Sequence, residues 1–102
     1  MRQVAEKPRF RGNPVDAVVD VRSRLEFWMG HLPGAVCIPA DSIVEGMTKH
    51  GITPSSRILL YCASGARSAV AERTLRAAGF RDVVDGGGMS SASQHFTPAG
   101  GG

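Results

Sequence analysis

Apolar and polar positions follow two alternating periods along this chain. Ala17-Val18-Val19-Asp20-Val21 is a β-branched apolar run after Pro14, the pattern of a parallel strand covered on both faces. Ala35-Val36-Cys37-Ile38 predicts a second strand stopped by Pro39, Arg57-Ile58-Leu59-Leu60-Tyr61 a central third, and residues 80–85 a last one. Helical signals fall between them. Ser23 with Glu26 three positions later is a capping-box signal, and Leu25, Phe27, Trp28 and Met29 supply a short helix that Gly30 closes. Asp41 or Ser42 caps a helix reaching toward Met47. Residues 67–78 predict a longer helix that buries Ala69, Val70, Ala71, Leu75 and Ala78 and ends at Gly79. Trp28 is expected in the core, and Gly86-Gly87-Gly88 as a turn after the last strand.

Strands separated by helices predict an α/β domain with a largely parallel central sheet flanked by helices. The ligand site of such a sheet lies outside the carboxyl ends of its strands, where Asp20-Val21-Arg22 and Cys62 both fall. A length of 102 residues suits one domain. Residues 1–13 read as an arm or ragged first strand, 14–96 as the domain, and 97–102 as a flexible glycine-rich tail that could tether the chain to something larger.

Composition narrows the functional classes. With 42% hydrophobic and 21% charged residues the chain can bury a core. Its net charge of +3 comes from arginines scattered along the sequence, which favours anionic small substrates or acidic partners and not nucleic acid. No stretch approaches the ~20 apolar residues of a membrane span, and residues 1–10 lack the apolar run of a signal peptide. Two cysteines on separate strands give no disulfide framework, so a reducing compartment, the cytoplasm, is expected. Cys37 reads as a buried, inert thiol. His50 and His95 read as surface residues, and His31 as a hydrogen-bonded turn histidine. No metal-ligand pattern is present.

The candidate chemistry sits at Cys62. A cysteine between a strand and a helix receives unpaired N–H groups from the helix's first turn and the favourable end of its dipole, which stabilises the thiolate. Ala63, Ser64, Gly65, Ala66 and Ser68 are small, and Gly65 permits unusual backbone angles, so the loop can curl its N–H groups into an anion nest. Arg67 stands at the mouth of the helix, where it adds a charge or braces the loop through a carboxylate.

From Val15 to Ser90 the chain resembles the rhodanese family. The likeness rests on Asp20-Val21-Arg22, Glu26, Gly30-His31-Leu32-Pro33-Gly34-Ala35, Ile38-Pro39, Tyr61-Cys62, Gly65-Ala66-Arg67-Ser68, Ala78-Gly79-Phe80 and Gly86-Gly87-Gly88-Met89, in that order. It implies a rhodanese fold, a catalytic cysteine at Cys62 and a six-residue active-site loop, 62–67. It also implies a double displacement without a cofactor: Cys62 takes the outer sulfur of a donor as a persulfide and yields it to a thiol, to cyanide or to a protein sulfur-relay partner. Asp20 and Arg22 become supporting framework beside the site, and Glu26 either pairs with an arginine or serves only the capping box of Ser23.

Two departures bear on substrate. Many thiosulfate-using relatives carry a basic residue directly after the cysteine, where this chain has Ala63. A dianionic donor thereby loses one attraction, which favours polysulfide, low-molecular-weight persulfides or protein persulfides over thiosulfate. The tryptophan expected after the glycine-rich turn is replaced by Ser91, Ala92 and Ser93. The rival readings are a non-catalytic sulfur-carrier or interaction module and, more remotely, a phosphatase or arsenate reductase. Those two activities need five residues between cysteine and arginine to surround a tetrahedral oxyanion, whereas Cys62 and Arg67 enclose four.

Overall fold

The structure, a computed structural model, describes residues 6–100. The expectations for residues 1–5 of the arm and 101–102 of the tail fall outside the described residues.

A four-stranded parallel sheet forms the centre. In chain order the elements are β1 (Arg9–Phe10), β2 (Asn13–Pro14), β3 (Ala17–Asp20), α1 (Arg24–Met29), β4 (Val36–Cys37), α2 (Ile43–Lys49), β5 (Ile58–Cys62), α3 (Ala66–Ala77), β6 (Val83–Gly88), α4 (Met89–Ser93) and β7 (Phe96–Thr97). The main sheet has the order β4-β3-β5-β6 and is parallel throughout, the fold class expected from the pattern. A small antiparallel sheet, β2-β1-β7, joins the two ends of the domain by pairing Arg9 with Thr97 and Phe10 with Phe96.

The period of two in the strands explains the packing. On one face Val19, Ile58, Leu60 and Cys62 meet Ile43 and Met47 of α2 and Ala71 and Leu75 of α3. On the other, Val18, Leu59 and Tyr61 meet Phe10, Val15, Leu32 and Ala92, with Phe27 and Phe96 against them. All five residues of β5 are therefore buried, which is why this strand reads as a continuous apolar run.

Several elements differ from expectation, each for a physical reason. Helix α3 presents Ser68, Ala71 and Leu75 to the core, while Val70 and Ala78 are exposed, because a helix lying on one face of a sheet buries a single narrow stripe. Helix α1 buries none of its six residues, and only Phe27 packs inward. Trp28, one helical step further round, is 80% exposed and not in the core. Cys37 is half-buried rather than enclosed, because β4 is a two-residue edge strand. The three glycines belong to β6 itself and lead straight into α4. A 3-10 turn at Ala40–Ser42 leads into α2, and neither Asp41 nor Ser42 makes a side-chain capping bond to it.

Candidate active site

Strand β5 delivers Cys62 to the carboxyl edge of the sheet, and the backbone turns at once into α3. Gly65, the residue before the helix, has φ +99°, a left-handed conformation that a side chain would strain. This turn brings the loop amides back over the sulfur. Gly65 N–H donates to Cys62 Sγ at 2.9 Å and Ser68 N–H at 3.4 Å, while Ser68 Oγ lies 3.5 Å from Sγ and donates to Gly65 O at 3.1 Å. Burial pushes the Cys62 thiol up, but the hydrogen bonds from Ser68 Oγ and from the N–H groups of Ser68, Gly65 and Ser64 outweigh it. The net effect holds Cys62 below the usual thiol range. By contrast, burial pushes the Cys37 thiol up. Cys62 is 0% exposed, so the favoured thiolate lies beneath its loop, whose residues Ala63, Ser64 and Ala66 face solvent.

The arginines near the sulfur are both answered by carboxylates. Arg67 grips Glu26 in a two-pronged pair, Nη1 to Oε1 at 2.7 Å and Nη2 to Oε2 at 3.0 Å. Glu26 also closes the capping box of α1: its Oε1 accepts Ser23 N–H at 3.0 Å, and Ser23 Oγ accepts Glu26 N–H at 3.2 Å. The two roles set out as alternatives for Glu26 are thus both filled. Hydrogen bonds from Arg67 and then from Ser23 lower its carboxyl to about 2.

Asp20 and Arg22 form a buried pair, with Arg22 Nη2 2.7 Å and Nε 2.9 Å from the carboxylate and the Arg22 backbone N–H adding a third donor at 2.9 Å. Arg22 also donates to Gly30 O, which ties the end of β3 to the turn after α1. Tyr61 OH accepts Leu32 N–H at 2.9 Å within that turn, and burial pushes its hydroxyl above the usual phenol range. His31 Nδ1 lies 2.8 Å from Phe27 O and its ring stacks on Phe27, which is the local hydrogen bonding expected of it. His50 and His95 are exposed.

One contributor escaped the sequence reading. A Cβ on Gly88 would lie 2.7 Å from Ala63 O, so the close passage of β6 behind the loop requires glycine there. Gly88 is also the partner of Cys62 in the strand register, beyond an irregularity between Leu60 and Cys62. A glycine inside a strand was the available signal. Among the described residues no group of three or more His, Cys, Asp or Glu side chains is placed to hold a metal ion.

Residues 2–93 match the Rhodanese-like domain family. The chain belongs to the rhodanese-like domain family. The rhodanese-like chain is 36% identical over 80 residues to the probable adenylyltransferase/sulfurtransferase MoeZ of Mycobacterium tuberculosis, covering 76% of this chain and 20% of that protein. It is 32% identical over 68 residues to the putative sulfur carrier protein YrkF of Bacillus subtilis, covering 67% of this chain and 36% of that protein. The chain therefore spans a fifth to about a third of these curated relatives. Among solved structures, the Alr3790 protein from Anabaena superposes with a TM-score of 0.71 at 30% identity, over 81% of this chain and 74% of that one. A rhodanese from E. coli superposes with a TM-score of 0.72 at 23% identity, over 80% and 96%, which shows the shared fold. Relatives of this domain are named sulfurtransferases and sulfur carriers. Among the described residues no helix is long and apolar enough to cross a membrane.

Proposed function

We propose that this rhodanese-like domain is a sulfurtransferase that carries a sulfane sulfur as a persulfide on Cys62. The observation that carries the reading is the hydrogen bond from Gly65 N–H to Cys62 Sγ at 2.9 Å, together with the Ser68 contacts that favour the thiolate. In the first half-reaction the Cys62 thiolate attacks the outer sulfur of a donor persulfide, R–S–SH. A bond forms between Cys62 Sγ and that sulfur, the donor's S–S bond breaks, and the donor leaves as the thiolate R–S⁻ while the proton stays on the transferred sulfur. In the second, an acceptor thiolate takes that sulfur with its proton as a new persulfide, or cyanide takes it as thiocyanate while the proton passes to solvent, and the Cys62 thiolate is restored with no net redox change.

Residues 63–68 fill the supporting roles. The N–H groups of Ser64, Gly65 and Ser68 stabilise the charge on sulfur in the manner of an oxyanion hole. When the thiol ionises, the Ser68 hydroxyl turns its proton from Gly65 O to Sγ. Arg67 and Ala66 open helix α3, and Arg67 fixes the loop to α1 through Glu26. Asp20 and Arg22 hold the neighbouring strand end. Because Cys62 is fully covered, a donor reaches it only as the rim formed by Ala63, Ser64 and Ala66 gives way.

The donor class follows from charge. Ala63 supplies no cation, and the guanidinium of Arg67 is already paired with Glu26. A persulfide or polysulfide chain meets less disadvantage in such a site than the thiosulfate dianion. No cofactor takes part. The relatives named as a sulfur carrier and as an adenylyltransferase/sulfurtransferase support a relay with a protein partner, and free thiols suit a reducing compartment such as the cytoplasm.

Intact-mass measurement after incubation with thiosulfate, polysulfide and glutathione persulfide in turn tests the proposal. The expected result is a gain of one sulfur with the two persulfide-type donors, mapped to Cys62 and absent in Cys62→Ser. No gain with any donor would overturn it in favour of an interaction module.

A further inference from the structure

Of the four large apolar side chains left in solvent among the described residues, three lie on α1. Leu25 is 66% exposed, Trp28 80%, Met29 75% and Val70 49%, and these four complete the set. Leu25, Trp28 and Met29 follow the i, i+3, i+4 spacing of a single stripe on α1, which buries no residue. Glu26 stands within three residues of each, and Val70 lies three residues after Arg67 on α3. Glu26 of the same helix and Arg67, one turn before Val70, form the bridge that fixes the Cys62 loop.

Trp28 of the stripe also lines a groove of about 570 Å³, together with Phe27, Val36, Cys37, Arg24 and His50. Cations outnumber carboxylates around it: the adjoining cleft, which shares Arg24, Cys37 and His50 with it, sets Lys49 against Glu45. Arg24 is one turn before Trp28 on α1, Arg73 is one turn after Val70 on α3, and among the described residues neither makes an ion pair. Glu26 is neutralised by Arg67, and Asp41 stands across the mouth beside Arg67. An exposed tryptophan with flanking arginines is the composition of an interface centre, while small sulfur donors need no such surface.

We propose that the α1 stripe and Val70 form the docking surface for a protein that delivers or collects sulfur at Cys62, with an apolar anchor for Trp28 bordered by aspartate or glutamate. This rests on the sulfurtransferase reading and names the partner's chemistry. Docking there sets a persulfide of the partner over the Cys62 loop, and transfer then follows the balanced exchange given above, R–S–SH plus the Cys62 thiolate giving R–S⁻ and the Cys62 persulfide. The arginines steer the acidic partner, so the encounter weakens with salt.

The test selects a displayed library of random peptides on the full chain and synthesises an enriched peptide with one cysteine, converted to its persulfide. Enriched peptides should combine an aromatic or aliphatic anchor with neighbouring Asp or Glu, and bind at least about tenfold more weakly to Trp28→Ala. Arg24→Glu should weaken them and remove most of the salt dependence. The peptide persulfide should load Cys62 faster than glutathione persulfide, an advantage that Trp28→Ala abolishes while its rate with glutathione persulfide stays at the original value. Trp28 is exposed, so an unchanged melting temperature is expected. Peptides without acidic residues, equal binding to Trp28→Ala, self-association that buries Trp28 in sedimentation, or binding only to phosphatidylglycerol vesicles would each overturn the proposal. If glutathione persulfide loads Cys62 but these outcomes appear, docking fails and the sulfurtransferase reading stands. If nothing loads Cys62, that reading fails first.

Discussion

Glu26 holds Arg67 at 2.7 and 3.0 Å across the carboxyl edge of the sheet, and the same carboxylate closes the capping box of α1. A residue anchored from both sides cannot drift. It keeps α1 and the Cys62 loop in one register and withholds the nearest loop cation from an incoming anion.

Glu26→Gln should therefore change donor preference. Freeing the Arg67 guanidinium returns one positive charge to the mouth, and an exposed charge interaction of about 1 kcal/mol corresponds to roughly a fivefold change. Steady-state kinetics should show the KM for thiosulfate falling by about that factor, with glutathione persulfide much less affected. An unchanged thiosulfate KM would separate Glu26 from donor choice.

The same carboxylate makes a pH-dependent contribution with a defined sign. Its folded value of about 2 lies below the ~4.3 of an unfolded chain, so the bridge contributes stability above pH ~4.3 and loses it as pH falls toward 2. Urea unfolding of the original chain and of Glu26→Gln should differ by a constant amount between pH 6 and 8. The curves should converge on acidification through this window.

Much of this site was legible in the residue pattern, because local chemistry decides it. The strand-to-helix passage at Cys62, the capping box of Ser23 and Glu26, and the Gly65 turn each need only neighbours in sequence. What escaped depends on distant segments. Whether Trp28 faces in or out depends on what the other elements leave uncovered, and α1 found room for Phe27 alone. Gly88 acquires its meaning only when β6 passes behind Ala63, a contact of residues far apart in the chain. The small β2-β1-β7 sheet likewise joins two-residue strands from opposite ends, too short for any period to show.

That contact predicts a sharp glycine requirement. Gly88→Ala drives a Cβ to 2.7 Å from Ala63 O, a backbone atom that cannot rotate away. The loop must shift, at a cost of about 1–3 kcal/mol. Denaturant unfolding should show that loss, and Cys62 persulfide loading should fall by more than ten times, since Ala63 and Ser64 begin the loop. Loading at the original rate would mean that β6 does not constrain the loop.

The buried Asp20–Arg22 pair predicts an asymmetry between its two partners. Asp20→Ala leaves a buried guanidinium without its carboxylate, which costs about 3–5 kcal/mol, a large part of the 5–15 kcal/mol that stabilises a typical domain. Thermal unfolding should move down by more than about 12 °C at 4–8 °C per kcal/mol. Arg22→Met, which removes the cation, leaves only a carboxylate still served by the backbone N–H of residue 22, and should cost less. A larger loss in Arg22→Met than in Asp20→Ala would place the stabilisation in the Gly30 contact, which only the arginine makes, and not in the ion pair.

Thiol titration separates the two cysteines. In a Cys37→Ser background the rate of Cys62 alkylation by iodoacetamide should rise with pH to a plateau, with a midpoint below the ~8.5 of a free thiol. Cys37 in a Cys62→Ser background should titrate above that reference, because burial disfavours its thiolate and no loop amide answers it. Burial acts on Cys62 in the same upward direction, so its lower midpoint measures how far hydrogen bonding prevails. Ser68→Ala removes the side-chain hydroxyl, the largest of those lowering influences, while the N–H groups of residues 64, 65 and 68 remain. Its midpoint should consequently rise part of the way toward that of a free thiol, and persulfide loading at pH 7 should slow in proportion to the lost thiolate. A Ser68→Ala midpoint equal to the original would transfer the whole effect to the backbone, and a midpoint at or above 8.5 in the Ser68-containing protein would remove the basis for an activated sulfur.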